Sequence, residues 1–176
     1  MDLQASLAPL FRGRIARRGG DQLYRDPRIE LESTGATELL PGIVLVRVLE
    51  QPIPPADPVP YEVFIVVGGR HVFPAGQGCA AVLASGFVPA SDHDALRMAT
   101  TAVVLGAARD YYSETPIPSD AEPQVTRKDA SWVVRLRTRP HASGLRVPAA
   151  PLKAYSVTVG KGVCEVQEGL LPTQRP

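Results

Sequence analysis

Three side chains in this sequence have the chemistry for nucleophilic catalysis: the thiol of Cys79, the imidazole of His141 and the amide of Gln77. Cys79 opens the apolar run Cys-Ala-Ala-Val-Leu-Ala-Ser, which predicts about two turns of helix. A thiol at a helix start has a lowered pKa because the helix dipole stabilises the thiolate. His141, in a predicted loop, is the histidine best able to act as the base, and Gln77 could donate a hydrogen bond to an oxyanion.

The alternative for Cys79 is a small apolar residue in the core, which is the commoner role of a free cysteine. The residues Gly-Gln-Gly-Cys resemble the Gln-x-x-Cys neighbourhood of papain-like cysteine hydrolases, whose cysteine also opens a helix. That resemblance implies a cysteine-dependent hydrolase or thiol enzyme centred on Cys79. Cys164 is the other cysteine, and the sequence leaves open whether the two form a disulfide.

A stripe of arginines is the second functional candidate. Arg135, Arg137 and Arg139 alternate with other residues, so in a strand they share one face, with about 7 Å between successive side chains. Such a face could bind an acidic protein or a phosphate backbone. No aromatic residue lies among the three arginines, which favours an acidic protein over nucleic acid. Solvated arginines, arginines paired with acids elsewhere in the chain, and homo-oligomerisation remain open alternatives.

Charge is segregated along the chain, although the net charge is only +1. Residues 122–161 carry eight basic side chains against two acidic ones, whereas residues 29–121 carry four against eleven. This segregation either steers an acidic partner to one face or lets the two halves pack against each other.

Motifs for cofactors and metals are absent from the sequence. It has no P-loop, no G-x-G-x-x-G and no Cys-x-x-Cys, and His93 cannot converge on a metal with Asp92 or Asp94, its chain neighbours. We therefore expect no cofactor and favour a non-catalytic binding protein, acting through an antiparallel sheet face, over an enzyme.

No apolar run is long enough to span a membrane, and the first twenty residues lack the apolar core of a signal peptide, which predicts a cytoplasmic protein.

The elements that must position these residues begin with strands in the first half of the chain. Residues 28–32 and 42–50 predict strands, and residues 61–73 predict a hairpin. A two-residue turn at Gly68-Gly69 would pair Val66 with His71 and partly bury the histidine.

A long helix is predicted over residues 92–112, with Ser91 and Asp94 forming a capping box at its start. It is apolar on most sides, so other structure must surround it. A proline-rich loop follows, and then a β-meander. The predicted fold class is α+β, with one long buried helix packed on an antiparallel β-sheet and an additional N-terminal β-hairpin layer.

Residues 91–169 carry a family resemblance in their order of elements. A long helix followed by the strands SWVVRL and KAYSVTVGKGVCEV resembles the cystatin-like and NTF2-like architectures. The resemblance implies a helix lying against a curved antiparallel sheet. For the whole chain we expect a loosely ordered basic segment at residues 1–26, a single domain at 27–171 and a tail at 172–176.

Overall fold

Three helices and nine strands are ordered along the described chain. The computed structural model describes residues 3–15, 28–32, 34, 37–49, 61–107, 112–116, 122–142 and 153–169. The elements are α1 (Leu3–Ile15), β1 (Arg28–Leu31), β2 (Ile43–Leu49), β3 (Tyr61–Val67), β4 (His71–Pro74), α2 (Gly78–Ala84), α3 (Asp92–Ala107), β5 (Tyr112–Pro116), β6 (Gln124–Lys128), β7 (Ser131–Ala142), β8 (Lys153–Gly160) and β9 (Val163–Gly169).

The first sheet has the antiparallel order β1-β2-β3-β4 and is buried on both faces. Leu45 and Ile65 point to one face, whereas Val46 and Val66 point to the other, and all four are almost fully buried. A strand covered on both sides must be apolar at every position. This explains the nearly continuous run of β-branched residues in β2 and β3.

Helix α1 covers the outer face of this first sheet. Leu7, Ala8 and Phe11 belong to the same buried cluster as Val46 and Val66. The ring of Phe11 also lies against that of Phe64, with 5.1 Å between the ring centres. Part of the N-terminal segment at residues 1–26 is therefore a docked helix, while the boundary at residue 26 stays a prediction.

The inner face of the first sheet shares a core with α2, α3 and the second sheet. Met98 and Leu105 of α3 lie in one buried cluster with Leu45 of β2 and Val134 of β7. The α+β class is confirmed by these two antiparallel sheets and their helices. The predicted hairpin layer is present as β3 and β4, which form half of a four-stranded sheet.

The second sheet has the order β5-β7-β8-β9, with β6 also paired to β7. Two boundaries differ from the prediction. Tyr112, expected at the end of the long helix, instead begins β5 and pairs with Ala142 of β7; Tyr112 and Thr115 are of residue types that favour strand. β7 also continues beyond Arg139, through residues 140–142 that were predicted to be a loop, and these residues pair with β5.

The turn between β3 and β4 is one residue longer than predicted. Val67 pairs with His71, and Val66 pairs with Val72, so the turn contains Arg70 as well as the two glycines. Gly68 and Gly69 both have positive φ, as expected, but this is compatible with either turn length. The prediction that His71 is partly buried was wrong, since the side chain is exposed on an edge strand.

No helix in the described ranges combines the length and the apolar character needed to cross a membrane.

The predicted capping box at the start of α3 is confirmed. The Ser91 hydroxyl oxygen accepts a hydrogen bond from the Asp94 amide at 3.2 Å. The Asp94 carboxylate accepts hydrogen bonds from the amides of Ala90 and Ser91 at 3.1 Å and from the Ser91 hydroxyl at 2.9 Å. These hydrogen bonds, that from the Ser91 side chain above all, lower the pKa of Asp94. The adjacent Asp92 accepts a hydrogen bond from the Trp132 indole at 3.0 Å, which ties the helix start to the second sheet.

The cap makes a pH-dependent contribution to stability. The folded pKa of Asp94 lies below its unfolded value of about 3.9. The contribution is therefore fully present above that pH and is lost as the pH falls through the folded pKa. We expect the melting temperature of Asp94→Asn to fall less steeply than that of the wild type below about pH 4. Parallel profiles of melting temperature against pH for the two proteins would contradict the contribution of the cap. The control is Glu122→Gln, which removes an exposed carboxyl group outside the helix.

Candidate functional site

The two cysteines meet in the structure, although they are distant in the sequence. Cys79 is the second residue of α2, and Cys164 is the second residue of β9. Both are free thiols, and their sulfurs lie 2.8 Å apart, with Cys164 donating a hydrogen bond to Cys79. Cys164 is buried, whereas Cys79 is only partly buried. The pair thus combines an accessible thiol with a protected one.

Gly78 brings Cys79 to this position because its backbone lies directly against α3. A methyl group on Gly78 would collide with the carbonyl oxygen of Ala102 and would lie 2.7 Å from the amide nitrogen of Gly106. The amide of Gly76 donates a hydrogen bond to the carbonyl of Leu105 at 3.0 Å, which anchors the preceding loop to the same helix. Only glycine at position 78 allows this approach.

The register of the β8–β9 hairpin positions Cys164. The turn at Lys161-Gly162 places Cys164 opposite Val159, which is fully buried. Residues paired across two strands share a face of the sheet, so Cys164 points toward the core and toward α2.

The two thiols have pKa values displaced in opposite directions. The hydrogen bond from Cys164 lowers the pKa of Cys79, because it stabilises the thiolate, and it outweighs the opposing effects of burial and of the Glu165 charge. The pKa of Cys164 is raised, first because its proton is held in that hydrogen bond and second because the group is buried. Helix α2 begins at Gly78, as the sequence indicated, but the main cause of the lowered pKa is Cys164.

A cleft of about 890 Å³ opens beside Cys79. Its walls are residues 76–80, the C-terminal half of α3, and the strands β8 and β9. Lys153 and Glu168 form an ion pair in the wall, with 3.5 Å between the ammonium nitrogen and the carboxylate oxygen. The buried Tyr155, which is paired with Glu168 across the strands, also lines the cleft. The volume is typical of a site for a small molecule or a short peptide.

The predicted catalytic residues are only partly brought together. Gln77 is exposed, immediately precedes α2 and lines the same cleft as Cys79. The backbone of His141 pairs with Ser113 in the β5–β7 ladder, while its side chain lies outside the described residues. A Cys79–His141 dyad therefore stays a prediction. Within the described ranges, no group of three or more His, Cys, Asp and Glu side chains could hold a metal ion.

The arginine stripe lies on the second sheet, away from the cleft. Arg135 and Arg137 are exposed on β7 and alternate with the buried Leu136 and Thr138, so these two arginines share the outer face of the sheet. Within the described part of the chain, neither forms an ion pair. Arg139 continues the strand opposite Thr115, and its side chain is outside the described residues. Binding of a partner by this face stays a prediction.

Comparison with known proteins gives no family assignment. No protein-family model matches the chain, and no curated protein or solved structure is significantly similar to it. The cystatin-like and NTF2-like resemblance accordingly stays a prediction.

Sequence reasoning missed Cys164 as a member of the site, together with the cleft residues Lys153, Tyr155 and Glu168. One part of the signal was present: the Gly160-Lys161-Gly162 turn, once its register is known, puts Cys164 on the buried face with Val159. The other part of the signal was absent from the sequence, because no local pattern indicates that α2 packs against β9.

Gly78→Ala tests the contact that positions the site. We expect the added methyl group to lower the free energy of unfolding by about 1–3 kcal/mol, since it meets backbone atoms of α3. The hydrogen bond between Cys79 and Cys164 should be disturbed as well. Urea denaturation measures the first effect, and the pH profile of Cys79 alkylation measures the second.

The matched control for that substitution is Gly106→Ala. Its added methyl group meets nothing within 4 Å, and alanine favours helix, so stability should stay the same or rise by up to about 1 kcal/mol. Equal effects of the two substitutions on stability would contradict the proposed close contact between Gly78 and α3.

The hydrogen bond that activates Cys79 can be tested by pH titration. Cys164→Ala removes the main cause of the lowered pKa, so the pH midpoint for alkylation of Cys79 by iodoacetamide should move upward. Glu165→Gln removes an opposing charge and should move the midpoint downward. Mass spectrometry of the labelled peptides identifies the modified thiol. An unchanged midpoint in Cys164→Ala, with circular dichroism confirming the fold, would contradict this assignment.

Proposed function

We propose that this protein carries out thiol–disulfide exchange, with Cys79 as the attacking thiol and Cys164 as the resolving thiol. The observation that carries the proposal is the pair of sulfurs 2.8 Å apart at the wall of a cleft, one accessible and the other buried. An attacking thiol must reach its substrate and ionise readily, while a resolving thiol needs to reach only the attacking sulfur. Cys79 meets the first requirement and Cys164 the second.

The exchange proceeds in two balanced steps. The Cys79 thiolate attacks one sulfur of a substrate disulfide, a mixed disulfide forms, and the other substrate sulfur leaves as a thiolate that takes a proton from water. Cys164 then loses its proton to solvent and attacks the Cys79 sulfur, which releases the remaining substrate thiol. Two electrons pass from the protein to the substrate, and an external dithiol must reduce the Cys79–Cys164 disulfide before another cycle.

The geometry suits this second step. Sulfurs joined in a disulfide are about 2.05 Å apart, so the two side chains need to approach by less than about 1 Å from their present separation of 2.8 Å. Oxidation of the two thiols would also join α2 to β9 by a covalent bond between residues 85 positions apart in the chain. The hydrogen bond to Cys79 disappears when the mixed disulfide forms, and this removes a main cause of the raised pKa of Cys164 just before that thiol must ionise.

Thiol exchange is better supported than hydrolysis at the same cysteine. A cysteine hydrolase needs a base that takes the thiol proton and returns it to the leaving group. The side chain of the candidate base, His141, lies outside the described residues. Exchange needs no such base, because both the attacking and the leaving groups are sulfurs.

Binding of an acidic partner to the outer face of the second sheet remains a separate prediction. It is supported by the exposure of Arg135 and Arg137 on one strand face. Nucleic acid remains the less favoured partner for this face. The dithiol is preferred as the functional site because it joins two reactive groups to a cavity.

Reaction with Ellman's reagent, an aromatic disulfide, tests the proposed roles. The wild type should release two thionitrobenzoate ions per chain and end with a Cys79–Cys164 disulfide. Cys164→Ser should release one ion and keep a stable mixed disulfide on Cys79. Cys79→Ser should react much more slowly than Cys164→Ser, because Cys164 is only 9% exposed and its pKa is raised. Mass spectrometry of the intact and digested protein distinguishes these products.

The proposed assignment of roles would be overturned if Cys79→Ser reacted with the reagent as fast as Cys164→Ser, or if the wild type ended with a separate adduct on each cysteine instead of a Cys79–Cys164 disulfide. Unfolded protein is the control for total thiol content.

A further inference from the structure

The cleft beside Cys79 lies along β9, an edge strand among the described strands. This strand is last in the order β5-β7-β8-β9, and no other described strand pairs with its outer side. Five consecutive residues of β9, 164–168, line the cleft. Successive side chains of a strand point to opposite faces, so a cavity on one face would be lined by alternate residues only. The unbroken run of lining residues fits a cleft that extends along the edge itself.

An open strand edge presents a row of backbone N–H and C=O groups to whatever lies beside it. Such a row binds an extended peptide as an additional strand, whereas a compact small molecule can use few of its groups. The lining run of five residues corresponds to about 16 Å of strand at about 3.3 Å per residue. This length accommodates a peptide of about five residues.

The reactive thiol lies at one end of this edge. Cys164 is the first residue of the lining run, and the sulfur of Cys79 is 2.8 Å from the Cys164 sulfur. A peptide paired with β9 would thus bring one of its side chains close to Cys79. That side chain would be near the end of the peptide or, if the peptide extends past Cys164, in its middle.

We propose that the substrate of the dithiol is an extended polypeptide segment that pairs with the edge of β9 and presents a disulfide-bonded cysteine to Cys79. This inference rests on the proposed exchange function and adds the substrate class to it. The chemistry is the two-step exchange already described, with the substrate cysteine as one sulfur of the attacked disulfide.

The charges along the edge favour basic residues beside that cysteine. Glu165 and Glu168 lie in the lining run, and Lys153 pairs with Glu168, which leaves the Glu165 carboxylate as the charge available near Cys79. Glu165 is exposed on the strand and is close enough to act on the Cys79 thiol. An arginine next to the substrate cysteine would approach this carboxylate, whereas an acidic residue would be repelled.

Kinetics with defined disulfides test the proposal. The probe is acetyl-Thr-Val-Arg-Cys-Arg-Val-Thr-amide activated as its 2-thiopyridyl disulfide, and glutathione activated in the same way is the small-molecule comparison. With Cys164→Ser, release of thiopyridone reports formation of the mixed disulfide on Cys79. Each disulfide is also reacted with a small free thiol whose pKa matches that of Cys79, and each rate with the protein is divided by the rate with that thiol. After this correction, Cys79 should react about tenfold faster with the peptide than with glutathione.

Two N-methylated peptides provide the matched controls. Backbone groups of successive strand residues point to opposite sides, so methylating the two valine amides blocks one side, and methylating the two arginine amides blocks the other. One of these peptides should lose the rate advantage, and the other should keep it. In hydrogen exchange, the adduct of the unmodified peptide should protect alternate amides within residues 164–168, and the glutathione adduct should not.

The charge preference is measured as the ratio of rates for the arginine peptide and its glutamate counterpart. Glu165→Lys should lower this ratio, and Glu122→Lys, an exposed substitution away from the cleft, should leave it unchanged. A ratio cancels any change that Glu165→Lys makes in the reactivity of Cys79 itself.

The outcomes separate the substrate proposal from the exchange function. Equal corrected rates for glutathione and all the peptides, or equal effects of the two N-methylated peptides, would overturn edge pairing while Cys79 still forms adducts. Failure of every probe to form an adduct on Cys79 would overturn the exchange function itself.

Discussion

The close contact between Gly78 and helix α3 is the constraint on which the candidate site depends. Because glycine has no side chain, the start of α2 reaches the backbone of α3 near Ala102 and Gly106. The next residue, Cys79, is then directed toward β9 rather than into solvent or into the centre of the core. A larger residue at position 78 would move α2 outward, and the separation of the two sulfurs would increase with it. The chemistry of the thiol pair is thus set by a packing contact that contains no reactive group.

Burial makes two chemically identical thiols different. Cys164 lies on the inward face of β9, beneath α2, where its charged form is poorly solvated. Cys79 lies at the margin of the same core, open to the cleft. The shared proton therefore stays on Cys164, and the hydrogen bond it forms stabilises negative charge on Cys79. The lowered pKa of Cys79 depends mainly on Cys164, and burial adds to the raised pKa of Cys164, so the asymmetry arises from the pair together with its burial.

Local patterns were sufficient to predict much of the fold. The Ser91–Asp94 capping box and the apolar residues that follow predicted the start and the burial of α3, because both depend on neighbours within one or two turns. Turn length was less well determined, since glycines at 68 and 69 are compatible with two registers. The end of α3 was also misjudged: Tyr112 was assigned to the helix, although tyrosine and the nearby Thr115 favour strand. The meeting of Cys79 with Cys164 could not be predicted, since it depends on how α2 packs against β9 and no local pattern encodes that packing.

The position of β9 gives the site its remaining property. An edge strand is usually protected by charge, by a bulge or by a covering segment, because its free backbone groups pair readily with other chains. In the described part of this protein, charge is the protection seen on β9: Glu165 and Glu168 stand along the edge, beside the cleft. Charge deters association with acidic or apolar chains but attracts a basic one. The same residues that oppose unselective pairing would therefore select among extended substrates, and the more exposed of the two sulfurs beside that edge is the one with the lowered pKa. Recognition and reactivity would then arise from one strand and the helix that packs against it.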